Sequence, residues 1–230
     1  MKKDLTTLMR LLQFTDSAFP VGTFSFSNGL ETAAHEGIVF DADTLESYAH
    51  DIALQAAFSD GVAALHALRA VKENNYEALV NADKQLILFK MNEEARQMLR
   101  RMGKKLAELS THIFQHPMLQ KWLEDIRNDH TPGTYPVAQG LTFAMAGLSE
   151  EELFCSHQYG VINMVLSAAL RCVKVSHYDT QRILFKLSEQ SRDLFEEVRI
   201  MNFDDMNAFV PQIDILASLH EKGNMRMFMN

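Results

Sequence analysis

DKQLILFKMNEEARQMLRRMGKKLAELSTH, residues 83–112, decides the fold class. Leu86, Phe89, Ala95, Leu99, Met102, Leu106 and Leu109 recur at helical spacing, and Lys, Arg and Glu fill the positions between them. A 3.6-residue period gives such a segment one apolar stripe and one solvated face, so the spacing predicts a long amphipathic helix over the whole stretch. The same pattern repeats on both sides. Asp43-Thr44-Leu45-Glu46 reads as a helix start of the capping-box kind, followed by Leu45, Tyr48, Ile52, Leu54 and Ala56 and continuing through Leu65 and Leu68. Ser149-Glu150-Glu151-Glu152 opens a third helix that runs through Ile162, Leu166 and Ala169 to about Val173, with acidic residues where the helix dipole favours them. Ser176 to Asp179 opens a fourth that ends near Arg199.

No period-2 alternation bounded by hairpin turns interrupts this series, so the expected fold class is all-α, a single-domain helical bundle. The 10 Gly and 5 Pro concentrate near 20–37, 117, 132–147 and 211–223. Thr131-Pro-Gly-Thr-Tyr-Pro136 is the clearest break in mid-chain, yet it is too short to link two domains. Residues 1–230 are therefore expected to form one domain, with an N-terminal helix and loop over 1–28 and a docking tail over 211–230.

A chain of 230 residues with 47% hydrophobic content can build a real core. A formal charge of -8 argues against a nucleic-acid footprint, which needs a clustered basic face, and leaves proteins as the expected partners. The opening MKKDLTTLMRLLQF lacks the apolar core and cleavage site of a leader, and no run reaches 18 apolar residues, so a cytoplasmic chain that does not span a membrane is expected. Cys155 and Cys172 lie inside apolar helical patterns and read as small core hydrophobes rather than a disulfide.

Searches for chemistry return little. A phosphate loop needs Gly-rich backbone ending in Lys-Ser/Thr, and the dinucleotide fingerprint needs a strand before its glycines; Gly22 and Gly29 meet neither requirement. His112 and His116 would share a helix face as metal ligands, but Pro117 disfavours helix at His116, which points to a helix-end role. Cys155 and His157 stand two apart and point to different sides of a helix. Ser25 and Ser27 sit in an aromatic Pro/Gly loop, FPVGTFSFSNGLE at 19–31, with no paired base in evidence. The simpler reading caps the next helix with Ser27 or Asn28, with Glu31 reaching back.

Other features suit contact. Arg100, Arg101, Lys104 and Lys105 make a basic face on an acidic protein, open to reading as a solvated surface or as an acidic-partner patch. The ending HEKGNMRMFMN packs Met225, Met227, Phe228 and Met229 around Arg226, dense apolar material for a terminus, which suggests a segment that docks. Its methionines read either as an adaptable contact or as soft-metal ligands.

Several of these stretches together resemble one family, the urease accessory protein UreF. Pro20-Val21-Gly22-Thr23-Phe24-Ser25-Phe26-Ser27-Asn28-Gly29-Leu30-Glu31 is similar to that family's opening signature, Pro-Val-Gly-Gly-Phe-Ser-Tyr-Ser-x-Gly-Leu-Glu. Asn92-Glu93-Glu94-Ala95-Arg96 with Gly103, Tyr135-Pro136-Val137-Ala138 with Gly140, and Ser167-Ala168-Ala169-Leu170-Arg171 before Asp179 and Gln181 are further matches. Pro211-Gln212-Ile213-Asp214 through Ser218, His220 and Glu221, then Arg226-Met227-Phe228, resembles its ending. Thr23 departs from a glycine, Phe26 from a tyrosine, and Ser176-His177 from Gly-Gln.

The resemblance implies an all-α, homodimeric, non-catalytic protein acting in maturation of nickel-dependent urease. It implies binding to the accessory protein UreD (also called UreH) and recruitment of the GTPase UreG, so that nickel reaches apo-urease; no cofactor of this chain's own is expected. Candidate partner-binding residues are Phe24, Ser25, Phe26, Ser27, Arg171, His220, Glu221, Arg226 and Phe228. Two alternatives stay open: a direct activator of the GTPase that supplies Arg226 or another arginine, and a helical enzyme using the Ser25/Ser27 loop.

Overall fold

The computed structural model of the chain describes residues 4–22, 26–207, 210–220 and 227–228. Every regular element among them is helical, as the periodicity requires. The chain opens with α1 (Leu5–Thr15), then α2 (Leu30–His35) and α3 (Ala42–Ala56). A π-helical turn, Ala57–Gly61, joins α3 without a break to α4 (Val62–Lys72). The expected long helix through Leu68 is therefore present, but its start differs. Asp41 is the cap and Thr44 answers it reciprocally, two residues ahead of the Asp43-based reading.

The 83–112 stretch departs from expectation. It is divided between α5 (Tyr76–Leu88) and α6 (Glu93–Ile113). Asn92 ends the continuity: its side chain accepts the Ala95 N–H at 2.7 Å and starts α6 afresh. The turn between them carries Lys90 inward, where Nζ meets Asp60 Oδ2 at 2.7 Å with both side chains 9% exposed. Removing either partner of this pair would leave the other charge buried and uncompensated, which is strongly destabilising.

After α6 come α7 (Pro117–Arg127), α8 (Tyr135–Ala146) and α9 (Glu150–Cys172). His116 caps α7 by accepting the Met118 N–H, the helix-end role expected of it. The box Ser149/Glu152 opens α9 as read from sequence, and Ser176/Asp179 opens α10 (His177–Ser188). The expected run to Arg199 is instead interrupted at Glu189–Gln190, and α11 (Ser191–Val198) follows separately. A 3-10 turn, Phe203–Asp205, precedes α12 (Pro211–His220).

Two glycines set the closest helix contacts. A Cβ at Gly140 in α8 would lie 2.4 Å from the Ala64 carbonyl oxygen of α4, and one at Gly103 in α6 would lie 2.1 Å from the Gly133 carbonyl oxygen. Only glycine lets backbones approach so closely. The 131–134 loop is held by Asp83, fully buried in α5, whose carboxylate accepts from Thr131 Oγ1, the Gly133 and Thr134 amides and Thr134 Oγ1. Trp122, Leu119, Leu79 and Leu86 fill the core beside it, each worth about 1.5–3 kcal/mol of transfer free energy.

α9 has the length and apolar composition of a membrane span, but 61% of that window is buried against its helical neighbours. Of the two cysteines, Cys172 is half-buried while Cys155 is exposed, so Cys155 is not the core residue that its neighbours suggested. The apolar pattern of α9 is broad, and burial on one side leaves position 155 facing out.

Candidate partner-docking site at the C-terminal knot

The last described residues of the chain return to α2. Asn28 and Gly29 both take left-handed backbone (φ 52° and 76°) to turn the loop into this short helix. A Cβ at Gly29 would stand 3.1 Å from both the Tyr48 hydroxyl and the Ala217 amide nitrogen, so α12 packs directly on the turn. Tyr48 donates to the Asn28 carbonyl at 2.7 Å. The expected cap is not made: Gly29 occupies the N-cap position and no side chain caps the helix. Phe26 is 5% exposed and Ser27 fully buried, so both lie beneath the surface. Phe24 and Ser25 lie outside the described residues.

Glu31, freed from capping, holds the far end of the chain. Its Oε1 accepts the Met227 N–H at 2.8 Å and its Oε2 accepts the Phe228 N–H at 3.2 Å. Oε2 also faces His220 Nε2 at 2.9 Å, while His220 Nδ1 faces both oxygens of Glu94 at 3.1 Å. Each ring nitrogen of His220 thus faces a carboxylate, one on α2 and one on α6. Burial works to raise the Glu31 pKa, but the Met227 amide, His220 and the Phe228 amide together hold it below the ordinary carboxylate value. Asn92 adds a further tie by donating to Asp214 Oδ1 of α12 at 2.8 Å.

Phe228 is buried among α2, α9 and α12 side chains, and the exposed Arg171 at the end of α9 lies over its ring, 5.1 Å from the centroid. That spacing is a cation–π contact. Phe228 therefore anchors the terminus to its own body. Met227 beside it is exposed, as are Ile215 and Leu219, one turn apart on α12. Glu221 and Arg226, both sequence-stretch candidates, lie outside the described residues, as do Met225 and Met229.

Of the expected site residues, then, the structure brings Arg171, His220 and Phe228 together, while Phe26 is buried in a different core cluster and Ser27 is buried. Glu31 and Glu94 are the residues that sequence reasoning missed. Each stood inside a motif, one read as a cap and the other as part of a helix start, and nothing local marks a carboxylate for burial. Arg100, Arg101, Lys104 and Lys105 are exposed on α6. Among the described residues no group of three or more His, Cys, Asp or Glu is arranged to hold a metal ion. His157 is buried and bonded to Gln139 at 2.7 Å, while Cys155 faces solvent, so that pair does not converge.

Fold and site define a class: an all-helical protein whose last described residues are clasped against α2 and α9. Comparison narrows it. The UreF family profile matches residues 39–188. The chain is 44% identical over 223 residues to the urease accessory protein UreF of Yersinia enterocolitica, covering 97% of this chain and 98% of that protein. The UreF proteins of Yersinia pseudotuberculosis and Yersinia pestis match at the same identity and coverage. The chain belongs to the UreF family of urease accessory proteins, which assist the enzyme and are not themselves catalysts.

Proposed function

We propose that this chain is a cytoplasmic, homodimeric scaffold for maturation of the urease nickel centre. It binds UreD/UreH, recruits the GTPase UreG, and positions both on apo-urease so that nickel, the cargo of the complex, is delivered there. The family resemblance supplies the partners. The observation that carries the location is the clasp of Glu31 on the Met227 and Phe228 amides, with Arg171 across the Phe228 ring. It fixes the terminal segment against the body beside exposed Met227, Ile215 and Leu219. An arginine among apolar anchors is the composition of an interface hot spot, and Arg226 and Arg171 are assigned that role here, with Phe24, Ser25 and Glu221 as further candidates for partner contact.

Co-purification of the tagged chain with UreD/UreH and UreG tests this. Arg226→Ala and Arg171→Ala are expected to keep the helical circular dichroism of the parent while recovering less GTPase. Full recovery of the GTPase by both variants overturns the assignment. Single-turnover GTP hydrolysis with and without this chain separates recruitment, which leaves the rate unchanged, from direct activation.

A further inference from the structure

A groove of about 780 Å3 lies between α3, α12 and the turn that follows α2. Tyr48, Val39, Ile213 and Leu216 are buried at its base. Its two sides are unlike. On α12, Ile215 and Leu219 stand one turn apart and are 57% and 52% exposed, and Ile38 in the turn after α2 is 52% exposed. On α3, Asp43, Ser47 and Asp51 recur every four residues, which sets them along one face of the helix over about 12 Å. Glu36 adds a further carboxylate to that side.

The charge on the acidic side is unmatched from within the chain. No lysine or arginine lines the groove. Among the described residues, Glu36 and Asp51 have ion-pair partners only in the adjacent His35 and His50, each at 3.4 Å, and Asp43 has none. A histidine offsets a carboxylate only when it is protonated. Glu46 of the same helix, outside the groove, is by contrast paired with Lys186.

Shape and backbone then narrow the occupant. Sites for small molecules enclose most of the ligand's surface, whereas here the apolar residues on α12 remain more than half exposed. Both walls are helices, whose backbone groups are used internally, so the groove has no strand edge with which an extended peptide could pair. What fits is a helix laid in by its side chains. Apolar positions on it meet Ile38, Ile215 and Leu219, and cations on its flank meet Glu36, Asp43 and Asp51.

We propose that this groove receives an amphipathic helix of a partner protein, with its apolar stripe toward α12 and lysine or arginine toward α3. The inference deepens the partner reading above, since Ile215 and Leu219 belong to both, but its test needs none of the named partners. The probe is a synthetic helical peptide of about 18 residues with leucine at i, i+3, i+4 and i+7 and lysine between, beside the same peptide with glutamate for lysine. Anisotropy of the labelled peptides against the full chain is expected to show saturable binding of the lysine peptide alone, and hydrogen exchange should show added protection confined to α3 and α12. Asp43→Asn with Asp51→Asn should weaken binding by about tenfold and flatten its salt dependence. Ile215→Ser with Leu219→Ser, on the opposite wall, should weaken it by about tenfold or more. Glu77→Gln with Glu124→Gln, exposed carboxylates on α5 and α7, should leave it unchanged. No binding of the lysine peptide, equal binding of the glutamate peptide, protection elsewhere, or unchanged affinity in either groove variant with parental circular dichroism overturns the proposal. So does protection of α3 and α12 that rises with the concentration of the chain alone, because the groove then holds a second copy. Failure to co-purify with UreD/UreH and UreG while the lysine peptide still binds leaves the groove standing and removes the partner reading alone.

Discussion

Nε2 of His220, the last residue of α12, lies 2.9 Å from Oε2 of Glu31 in α2, and the opposite ring nitrogen lies 3.1 Å from Glu94 in α6. One imidazole thus joins three helices that are far apart in sequence, and the same Glu31 carboxylate holds the chain terminus. Glu31→Ala removes the bonds to His220, Met227 and Phe228 and leaves His220 buried beside Glu94 alone. A loss of about 2–4 kcal/mol is expected, the range for breaking a buried, hydrogen-bonded charge. Glu31→Gln keeps an acceptor oxygen and should lose less. Chemical denaturation gives the stability, and hydrogen exchange at the Met227 and Phe228 amides reports the clasp directly. Unchanged exchange in Glu31→Ala would show that the terminus is held by other contacts.

The helix contact at Gly140 predicts a contrast between two glycines. Gly140→Ala would place a methyl group 2.4 Å from the Ala64 carbonyl oxygen, whereas one at Gly160 in α9 meets nothing within 4 Å. Overpacking should cost Gly140→Ala about 1–3 kcal/mol. Gly160→Ala should gain up to about 1 kcal/mol from helix propensity. Thermal unfolding of the two variants beside the parent checks the sign of each.

Acid should weaken one particular link between α4 and α9. The side-chain hydrogen bonds from Arg69 hold the Glu150 pKa below its ordinary value, with NH2 2.6 Å from Oε2. A carboxylate whose pKa is depressed by folding contributes stability above its unfolded-state pKa, near 4.5, and loses it as pH falls through the folded value. The parent should therefore be more stable than Glu150→Gln at neutral pH, with the gap closing below about pH 4.5. Denaturation curves at neutral and acidic pH read this difference, and a constant gap would contradict the assigned coupling.

The two cysteines should differ in reactivity. Burial pushes the Cys172 thiol up to about 11, while Cys155 is exposed. Thiolate is the reactive form. Mild alkylation at neutral pH followed by peptide mass spectrometry should label Cys155 well before Cys172, and the reverse order would place α9 the other way round.

Much of the architecture was legible because it rests on local rules. The Ser149/Glu152 and Ser176/Asp179 starts were readable, as was the helix-end role of His116, since a cap and its partner lie within one turn. Gly103 and Gly140 stood in recognisable blocks, although only packing explains them. The break at 89–92 was hidden because Phe89 continues the apolar period, and the reason to turn there is an Asp60 thirty residues away.

By itself the sequence determined the helical class, the main helix starts and the family, because periodicity, capping and motif order are short-range properties. Only the tertiary structure decided that Glu31 clasps the terminus instead of capping a helix, and that Phe228 turns inward. The physical reason is desolvation. Whether a charged or polar group is buried, and with what, depends on the helices that close over it, and those come from distant parts of the chain.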